Sequence, residues 1–512
     1  MRRCSAKINK LKHISVIFFF ILFSVAGKDQ LEAKERNGAM WSGKYSKTSQ
    51  KKERPRKQGK KQKRGGDRPV APPEQAWSVA SIILGRPGTD TITVSMLPAA
   101  NMEAYIEYGQ TESLLDRKTE RQSLTNSEPG IVTLTGLKSN TAYSYRLRYR
   151  NSTKDSFHMG PTYRFHTQRA PGSSFTFTIQ SDSHLGTDQH CDPALYARTL
   201  MNITEDRPDF HMDLGDTFRA TKLRKDTPTA VEQLFRNQRN YFGLVSHSAP
   251  LFLVLGNHDY EWGWDLKNGV TSMSSRMTQA RNRFYPNPVP GGIFTGNRTR
   301  EDGIGQPANY YAWEWGDGLF IALDIYRHTT VNPKEVGNSW DWTLGDAQYQ
   351  WLTKTLAESR KPVKCVFLHH LHGTCRGAVE WVDCYEWGGE DRKGRYVFKQ
   401  HRPEWPLPVH QLLVRHGVTS VFQGHDHIFA SQEKDGIAYI TCPMPGDPGY
   451  NAYNQEAFRS GKTVANSGHL RVKVSENGIK VEYVRSFLPN DETGDRKNGS
   501  MGFSKVVSTA VK

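Results

Sequence analysis

Five apolar runs of strand length each end in side chains that can bind metal ions, and this pattern constrains the fold of the 512-residue chain more than any other feature. Segments with helical periodicity separate the runs, which predicts alternating strands and helices in an α/β layer architecture. In open α/β sheets ligands bind beyond the carboxyl ends of the strands, so we expect the clusters to meet in one crevice. The runs and their clusters are 175–179 with Asp182 and His184, 210–214 with Asp216, 251–255 with Asn257, His258 and Asp259, 365–368 with His369 and His370, and 418–422 with His425 and His427.

The residue types in these clusters favour a particular kind of metal site. They are Asp, Asn and His without Cys, and these oxygen and nitrogen donors suit Mn, Fe or Zn rather than a structural zinc or a Ca or Mg cage. On an extended segment, residues such as Asp182 and His184 point the same way and can reach one ion. A single cluster could also be a turn or a satisfied buried histidine pair, but the ordered repetition favours a metal centre. Three clusters follow a glycine that lets the backbone turn sharply: Gly215, Gly256 and Gly424.

The positive charge of the chain lies mainly in its N-terminal part. Residues 1–70 contain 20 Lys and Arg against 5 Asp and Glu, whereas the whole chain has a net charge of +17. The remainder is nearly neutral, unlike a nucleic-acid-binding fold, so we expect no specific nucleic-acid partner. Residues 28–72 are too polar and basic to bury a core, which predicts a disordered linker. This linker is either a solvated spacer or an electrostatic attachment to an anionic envelope surface.

Residues 1–27 have the pattern of an export signal. Basic residues precede an apolar run from Ile14 to Ala26, whose last three residues offer a small-residue cleavage site. The run is shorter than the roughly 20 residues that span a bilayer, and an uncleaved anchor is the alternative. We therefore predict export to the periplasm or the extracellular space. In such an oxidising compartment Cys375 and Cys384 either pair or remain buried thiols.

Residues 73–170 have the pattern of a small all-β domain. Short alternating segments, among them 90–95 and 143–149, are separated by Gly, Pro, Asn and Ser, which predicts a β-sandwich. The segment from Leu137 to Tyr143 resembles the turn before a late strand of fibronectin type III domains, where a Tyr packs at the corner. The region contains no cluster of His and Asp, so we assign it no chemistry.

Residues 171–490 are predicted to be the catalytic domain and residues 491–512 a C-terminal tail. Cap-like residues mark the helix starts, and an Asn-Gly turn between two alternating segments marks a hairpin. The predicted elements are helices starting at Asp192-Pro193, Thr229 and Thr343, the last with Ala347, Trp351, Leu352 and Leu356 on its apolar face, and a hairpin of 469–474 and 479–484.

The ordered set Asp-x-His, Gly-Asp, Gly-Asn-His-Asp, His and Gly-His-x-His resembles the calcineurin-like metallophosphoesterase superfamily over residues 175–484. The resemblance implies an α/β (α+β) fold, a four-layer αββα sandwich, here preceded by a small all-β sandwich. Purple acid phosphatases also carry a β-sandwich ahead of the catalytic domain, so the domain order agrees with that branch. The implied cofactor is a pair of divalent metal ions, Mn, Fe or Zn.

The resemblance also implies two sets of metal ligands that share a bridging carboxylate. The first ion would be bound by Asp182, His184 and His427, the second by Asn257, His369 and His425, and Asp216 would bridge them. His258 would stabilise charge on the phosphate or protonate the leaving oxygen, with Asp259 orienting it. The choice of His369 over His370 rests on the resemblance, because the superfamily's ligand directly follows its apolar run.

Two positions depart from the purple acid phosphatases. Their Asp-x-Gly corresponds here to Asp182-Ser-His184, and Arg219 stands where their Gly-Asp-x-x-Tyr has its tyrosine. We therefore expect no iron–tyrosinate centre. The metals should follow the His-containing branch of the superfamily, which includes cyclic-nucleotide and glycerophosphodiester phosphodiesterases.

These observations predict an exported phosphomonoesterase that hydrolyses small phosphate esters by attack of a hydroxide held between two metal ions. A phosphodiesterase acting on cyclic nucleotides or glycerophosphodiesters is the alternative enzyme. A non-catalytic cell-surface binding protein is the alternative of another class, and the intact ligand set argues against it. The aromatic residues in 260–264 either line the substrate pocket or pack their loop against the core.

Overall fold

The computed structural model describes residues 79–186, 190–220, 223, 227–373 and 375–509. The predicted signal peptide (1–27) and basic linker (28–72) lie outside the described residues. Within the described ranges, the helices are too short or insufficiently apolar to cross a bilayer.

A β-sandwich forms the first part of the described chain, as predicted. One sheet contains β1, β2 and β6, and the other contains β3, β4, β5, β7 and β8. Alternate residues of β3, such as Ala104 and Ile106, are buried between the sheets, because successive side chains of a strand point to opposite faces. The strands are β1 (Ala80–Gly85), β2 (Ile92–Pro98), β3 (Met102–Gly109), β4 (Arg117–Lys118), β5 (Gln122–Leu124), β6 (Gly130–Leu134), β7 (Ala142–Arg150) and β8 (His158–His166).

Tyr143 packs at a corner of this sandwich. Its ring is buried, and its hydroxyl accepts a hydrogen bond of 2.8 Å from the backbone N–H of Lys138, five residues upstream. This contact closes the turn that precedes β7. The relation of the region to fibronectin type III domains stays a prediction.

The rest of the chain forms two larger sheets and the helices that cover them. The strands are β9 (Phe175–Gln180), β10 (Phe210–Asp213), β11 (Leu251–Leu253), β12 (Phe294–Gly296), β13 (Tyr311–Trp315), β14 (Gly318–Ala322), β15 (Val363–Phe367), β16 (Ser420–Gln423), β17 (Phe429–Lys434), β18 (Ile437–Thr441), β19 (Lys462–Val464), β20 (Gly468–Ser475), β21 (Gly478–Arg485) and β22 (Met501–Ser508). The helices are α1 (Pro193–Glu205), α2 (Pro228–Ser246), α3 (Gly263–Leu266), α4 (Met273–Phe284), α5 (Pro333–Val336), α6 (Asp346–Glu358), α7 (Tyr385–Gly388), α8 (Phe398–His401) and α9 (Val409–Arg415).

The two sheets pack face to face, which confirms the four-layer prediction. One has the order β11-β10-β9-β20-β21-β22, and the other the order β12-β13-β14-β15-β16-β18-β17-β19. Phe177 and Phe210 of the first sheet contact Phe320 of the second, with ring centroids 5.4 and 5.2 Å apart. Helices α1 and α2 pack on the first sheet, and α6 and α9 on the second. Strands buried on both faces read as continuous apolar runs, which is why the five runs were visible in the sequence.

Several predicted element boundaries hold and others are wrong. Asp192 caps α1 with Pro193 in its first turn, and β20 and β21 form the predicted hairpin. The start at Thr229 is wrong by two residues, because Thr227 supplies the capping oxygen and Pro228 the first helical residue of α2. The predicted tail 491–512 contains β22, an edge strand that pairs with β21, so the folded domain extends past residue 490.

The third predicted helix, α6, also begins later than expected. Gly345 is its N-cap, while the Thr343 hydroxyl accepts a hydrogen bond from the Gly345 N–H and donates one to Glu386. Ala347 is exposed, and the buried face consists of Gln348, Tyr349, Leu352 and Leu356. The helix register therefore differs from the predicted one in its first turn. Cys375 and Cys384 are both free thiols in the structure.

Candidate metal centre

The predicted ligands come from the carboxyl ends of strands in both sheets. Strands β9, β10 and β11 run parallel to each other, as do β15 and β16, so the strand ends of each group lie at one edge. The predicted crevice therefore lies at the shared edge of two stacked sheets and not at the edge of one open sheet. The ligands from the first sheet are Asp182, His184, Asp216 and Asn257, and those from the second are His369, His425 and His427.

The first predicted ligand set is a compact group. Ligand atoms of Asp182, His184 and His427 all lie within 4.8 Å of one another. His427 Nε2 is 3.3 Å from Asp182 Oδ1 and 3.1 Å from His184 Nε2. Two imidazole nitrogens this close to each other and to a carboxylate form a donor set that one divalent cation fits.

Asp216 lies between this group and the second set. Its Oδ2 is 3.2 Å from His369 Nε2 and 3.9 Å from His184 Nε2. His369 Nε2 in turn is 3.3 Å from His425 Nδ1. A carboxylate within reach of histidines from both sets has the position of a bridging ligand.

The geometry favours His369 over His370 as the ligand. His369 donates through Nδ1 to the Leu214 carbonyl at 2.8 Å, which leaves Nε2 facing Asp216. Such a backbone partner fixes the tautomer and the orientation of a ligating imidazole. His370, in contrast, uses Nδ1 with the Tyr326 hydroxyl at 2.8 Å and Nε2 with the Gly373 carbonyl. Both nitrogens of His370 are therefore occupied by the scaffold.

Three buried polar atoms of the site lack a hydrogen bond, and these are atoms that a cation would satisfy. They are Oδ1 of Asp182, Oδ1 of Asn257 and Nε2 of His425. Buried polar groups are nearly always hydrogen-bonded, so three such atoms on predicted ligands need an explanation. Together with the oxygen and nitrogen donor set, they show that the residues present fit a pair of divalent ions.

The backbone of the ligand loops is strained. Five of the seven predicted ligands have φ between 44° and 69°, in the left-handed region that residues other than glycine rarely adopt. Asp182 and His184 are among them, so they converge through a tight left-handed turn rather than along an extended segment as predicted. Strain of this kind costs about 1–3 kcal/mol per residue and is concentrated at functional sites. The strained ligands are Asp182, His184, Asp216, His425 and His427.

The three glycines beside the ligands serve two different purposes. Gly215 has φ +92°, as expected for a sharp turn. Gly256 and Gly424 have no positive φ, so the prediction of a conformational role is wrong for them. A Cβ on Gly256 would lie 2.3 Å from Asp216 Oδ1, and one on Gly424 would lie 2.6 Å from Asp182 Oδ2. These two positions are glycine because the ligand carboxylates approach the backbone closely.

The pKa values of the two predicted ligand carboxylates, Asp182 and Asp216, are lowered. Burial opposes the ionisation of Asp182, but His427 and His369 bring its pKa down to about 2. Burial lowers the pKa of His184 to about 3 and also lowers that of His425, so both imidazoles are neutral. Burial would lower the pKa of His369 as well, but Asp216 and Asp182 raise it to about 10. Since metal ligands must be deprotonated, a bound cation would replace the proton of His369.

His258 lies beside the ligand cluster. Its ring centroid is 5.4 Å from that of His184, and its backbone N–H donates to Asp216 Oδ1 at 2.7 Å. Burial lowers the pKa of His258, Asp216 raises it, and the nearby positive charge of Arg219 lowers it further. The arrangement is compatible with a group that exchanges a proton with substrate rather than one that binds metal.

Asp259 does not have the predicted role of orienting His258. Its Oδ2 accepts hydrogen bonds from the N–H groups of Asp216 and Gly256, and its Oδ1 accepts from the N–H and hydroxyl of Thr217. Asp259 therefore ties the loop after β10 to the loop after β11. It positions Asp216 through the backbone and is a structural support of the site.

Sequence reasoning missed the supports on the second sheet. Arg376 donates to the His425 carbonyl and, at 3.3 Å, to Asp426 Oδ1, while Asn466 donates to the His427 carbonyl at 2.8 Å. These residues lie about 40 to 50 positions from the loop that they hold, so no local pattern marks them. The sequence marked only the ligands themselves, through their repeated position at the ends of apolar runs.

Comparison with known proteins agrees with this geometry. Residues 175–429 match the family described as Calcineurin-like phosphoesterase. The chain contains a calcineurin-like phosphoesterase domain. The matched segment includes all seven predicted ligands, from the strand β9 before Asp182 to the residues after His427. No curated protein sequence matches the chain significantly.

Two solved structures share the architecture. The structure of PhoD is 14% identical, with a TM-score of 0.57, and the match covers 85% of this chain and 92% of that one. The purple acid phosphatase PPD1 from yellow lupin (Lupinus luteus) seeds is 15% identical, with a TM-score of 0.55 and coverage of 84% and 74%. At these identities the likeness shows the fold, including the order of a β-sandwich followed by a metallophosphoesterase domain.

Proposed function

We propose that this protein is a two-metal phosphoesterase whose main substrates are small phosphate monoesters. The position of Asp216 between two groups of ligands is the observation that carries the proposal. The calcineurin-like phosphoesterase domain supports phosphoester hydrolysis, and the three unsatisfied buried ligand atoms support metal dependence. The donor set favours Mn, Fe or Zn.

The predicted ligands, His258 and Asp259 would have separate roles in the reaction. Asp182, His184 and His427 would hold one cation, Asn257, His369 and His425 would hold the other, and Asp216 would be shared by the two sets. The bound cations would supply Lewis-acid stabilisation of the phosphoryl charge and activation of the attacking water. His258, whose ring centroid is 5.4 Å from that of His184, would donate a proton or a hydrogen bond to the departing oxygen. Asp259 keeps Asp216 in place through its backbone N–H.

Chelation followed by addition of single metals tests this function. The purified protein is stripped of metal, and release of p-nitrophenol is measured from p-nitrophenyl phosphate and from its bis ester after Mn, Fe or Zn is added. We expect metal-dependent hydrolysis with the monoester preferred. Faster hydrolysis of the diester would assign the site to a phosphodiesterase instead. Bound metal without hydrolysis of either ester would favour the non-catalytic binding protein.

We also propose that the protein is exported and that residues 28–72 act outside the cytoplasm as a spacer. The support is the basic and apolar pattern of residues 1–27, which is typical of a signal peptide. Cell fractionation with N-terminal sequencing of the mature protein tests this, and we expect a new N-terminus near Gly27. Recovery of the full-length chain from the cytoplasm would contradict it.

A further inference from the structure

The two histidines of the second predicted ligand set differ in how the scaffold holds their rings. His369 has an anchor, because its Nδ1 donates to the Leu214 carbonyl oxygen at 2.8 Å. His425 has no such anchor: its Nδ1 lies 3.3 Å from His369 Nε2, and its Nε2 makes no hydrogen bond within the part of the chain that the structure describes. A ligating imidazole is normally oriented by a hydrogen bond from its other nitrogen. Packing must therefore orient the ring of His425.

The backbone of His425 is fixed from two sides. Its N–H donates to Asp182 Oδ2 at 2.8 Å, and its carbonyl oxygen accepts a hydrogen bond from Arg376. These contacts fix the position of Cβ, but they leave rotation about the side-chain bonds χ1 and χ2 open. The plane of the imidazole therefore depends on the side chain that packs against it.

The ring of His370 packs against that imidazole. The ring centroids of His370 and His425 are 4.3 Å apart at an interplanar angle of 22°, which is a stacked arrangement. His370 is fully buried, and Tyr326 and Trp342 lie around it, with ring centroids 5.6 and 6.3 Å away. A flat ring at this distance restricts the tilt of the His425 imidazole.

Hydrogen bonds at both ends hold the ring of His370 itself. Its Nε2 contacts the Gly373 carbonyl oxygen, which can only accept, so Nε2 carries the hydrogen. In the neutral ring Nδ1 is then an acceptor, and the buried Tyr326 hydroxyl donates to it at 2.8 Å. Two bonds at opposite ends of the ring prevent rotation about χ2. The scaffold thus fixes the ring plane of His370, and His370 presents that plane to His425.

Ligation by His370 is the competing explanation of its position. Ring nitrogens of His369, His370 and His425 lie within 4.8 Å of one another, close enough to share a cation. Both nitrogens of His370 already have partners, however, and a nitrogen that carries hydrogen cannot bind a metal ion. Binding through Nδ1 would displace the Tyr326 hydroxyl. The contacts therefore favour support of a ligand over ligation.

We infer that His370 is a positioning residue of the metal centre, whose fixed ring orients the imidazole of His425 toward the second cation. The inference rests on the proposed two-metal function and adds a residue that acts through a ligand rather than on the metal ion. Partners that orient a metal ligand typically contribute about 10–100-fold to metal affinity. The same scale is expected for His370.

Two variants of His370 separate support by a ring from ligation. His370→Phe keeps a flat ring beside His425 but has no donor atom for a metal ion, whereas His370→Leu has neither. Zinc is titrated into the chelated proteins by calorimetry. We expect the wild type to bind two ions, His370→Phe to retain most of the affinity for both, and His370→Leu to bind one of them about 10–100-fold more weakly.

The other ion is the internal control in this titration, because general loss of structure would weaken both ions together. Loss of the same ion in His370→Phe and His370→Leu would identify His370 as a ligand and overturn the inference. Wild-type affinity for both ions in both variants would overturn it as well.

Tyr326→Phe tests the anchor of His370 without changing either histidine. If His370 positions His425, loss of the hydroxyl loosens its ring, and the same ion should bind more weakly. If His370 is a ligand, the variant frees Nδ1, and that ion should bind more tightly, which would contradict the inference. Tyr349→Phe is the control, since Tyr349 is also buried and its hydroxyl donates to the Leu407 carbonyl oxygen at 2.7 Å, so that metal binding should not change.

The binding measurements keep the inference apart from the proposed function. If the wild type binds two ions but does not hydrolyse p-nitrophenyl phosphate, the phosphatase function fails, yet selective weakening of one ion in His370→Leu still supports the inference. If the wild type hydrolyses the ester and the variants of His370 and Tyr326 bind both ions as the wild type does, the metal centre stands and the inference fails.

Discussion

The β-sandwich and the two-sheet region are both built from buried strands, but they differ in where their strands end. The described sandwich strands pair antiparallel, so successive ends point to opposite edges. In the two-sheet region, β9 to β11 and β14 to β16 run parallel, so their carboxyl ends collect at a common edge. Among the described residues, every group that could hold a metal ion lies in the two-sheet region. Strand direction, rather than strand number, decides which region concentrates polar side chains.

The two regions also differ in backbone strain. Between residues 80 and 166 the non-glycine residues with positive φ are Arg86 and Asn140, neither of which is a predicted ligand. In the two-sheet region, five of the residues with positive φ are predicted ligands. Among the described residues, the sandwich thus has no strained ligand, whereas five of the fourteen non-glycine residues with positive φ in the two-sheet region lie at the metal centre. The variants below test this division, in order of decreasing effect.

Replacing the bridging carboxylate should have the largest effect. Asp216→Ala removes the carboxylate oxygen that lies 3.9 Å from His184 Nε2 and 3.2 Å from His369 Nε2, so hydrolysis should be abolished and metal content should fall. Steady-state turnover and metal analysis of the purified variant check this. Wild-type metal content together with wild-type turnover would refute the bridging role.

Asp213→Asn is the matched control for that variant. Asp213 is also buried and lies three residues upstream, where its oxygens accept from Gln180 and from the Gly215 N–H. Burial raises the pKa of Asp213 well above its usual range. Asparagine keeps the size of the side chain, and Asp213 is outside the predicted ligand sets, so turnover should stay much closer to that of the wild type than in Asp216→Ala.

His258→Ala should separate catalysis from metal binding. The imidazole lies next to His184 but outside the predicted ligand sets, so the variant should keep its metal. Loss of a general acid lowers the rate by about 10²–10⁴-fold, and we expect kcat to fall by that amount. Metal analysis and kcat are measured on the same sample. A variant that has lost its metal would show that His258 is a ligand.

The sequence predicted the site better than its supports, for a physical reason. Ligands follow strands whose apolar runs are contiguous, so Asp182 and Asn257 could be located from local pattern alone. Supports such as Arg376 act across the fold and leave no local signal. Asp259 shows the intermediate case, since its motif marked it as important but only the contacts showed that it holds loops together. The edge strand β22 was missed because exposed edges carry a weak alternation of polar residues.

Arg239→Met tests the contact between the β-sandwich and the two-sheet region. Arg239 on α2 is fully buried and donates to the Ser81 hydroxyl at 2.9 Å and the Ser95 carbonyl at 2.7 Å, both in the sandwich. Its removal leaves buried acceptors without a donor, which should lower the free energy of unfolding by about 2–4 kcal/mol. Chemical denaturation measures this, and KM of the folded enzyme should not change.

Arg236→Met on the same helix is the control for Arg239→Met. Arg236 also donates to the sandwich, at 2.9 Å to the Asn126 carbonyl, but this contact is exposed to water. Its loss should cost less than about 1 kcal/mol, because water replaces the donor. Equal losses of unfolding free energy in Arg239→Met and Arg236→Met would show that burial does not determine how much each contact stabilises the protein.

Apart from the control variants, the smallest effect is expected for the buried carboxylate of Asp206, and it should depend on pH. Asp206 at the end of α1 accepts from His469 at 2.7 Å and from Arg471 at 2.6 Å on β20. Burial would raise the pKa of Asp206, but His469 and Arg471 outweigh it and lower the pKa. A carboxyl with a lowered pKa stabilises the fold above its unfolded value of 3.8, and the contribution is lost as the pH falls through the folded value.

Asp206→Asn should therefore reduce the free energy of unfolding by roughly 1–2 kcal/mol at pH 7, the scale of hydrogen bonds to a charged group. The difference from the wild type should shrink as the pH falls below 3.8 and through the lower folded pKa of Asp206, because the protonated carboxyl is then as uncharged as asparagine. Glu112→Gln in the sandwich is the control, since its pair with Arg164 is more than half exposed and should contribute almost nothing at any pH. A loss of unfolding free energy in Asp206→Asn that does not vary with pH would mean that the charge of Asp206 does not contribute to the packing of α1 on the sheet.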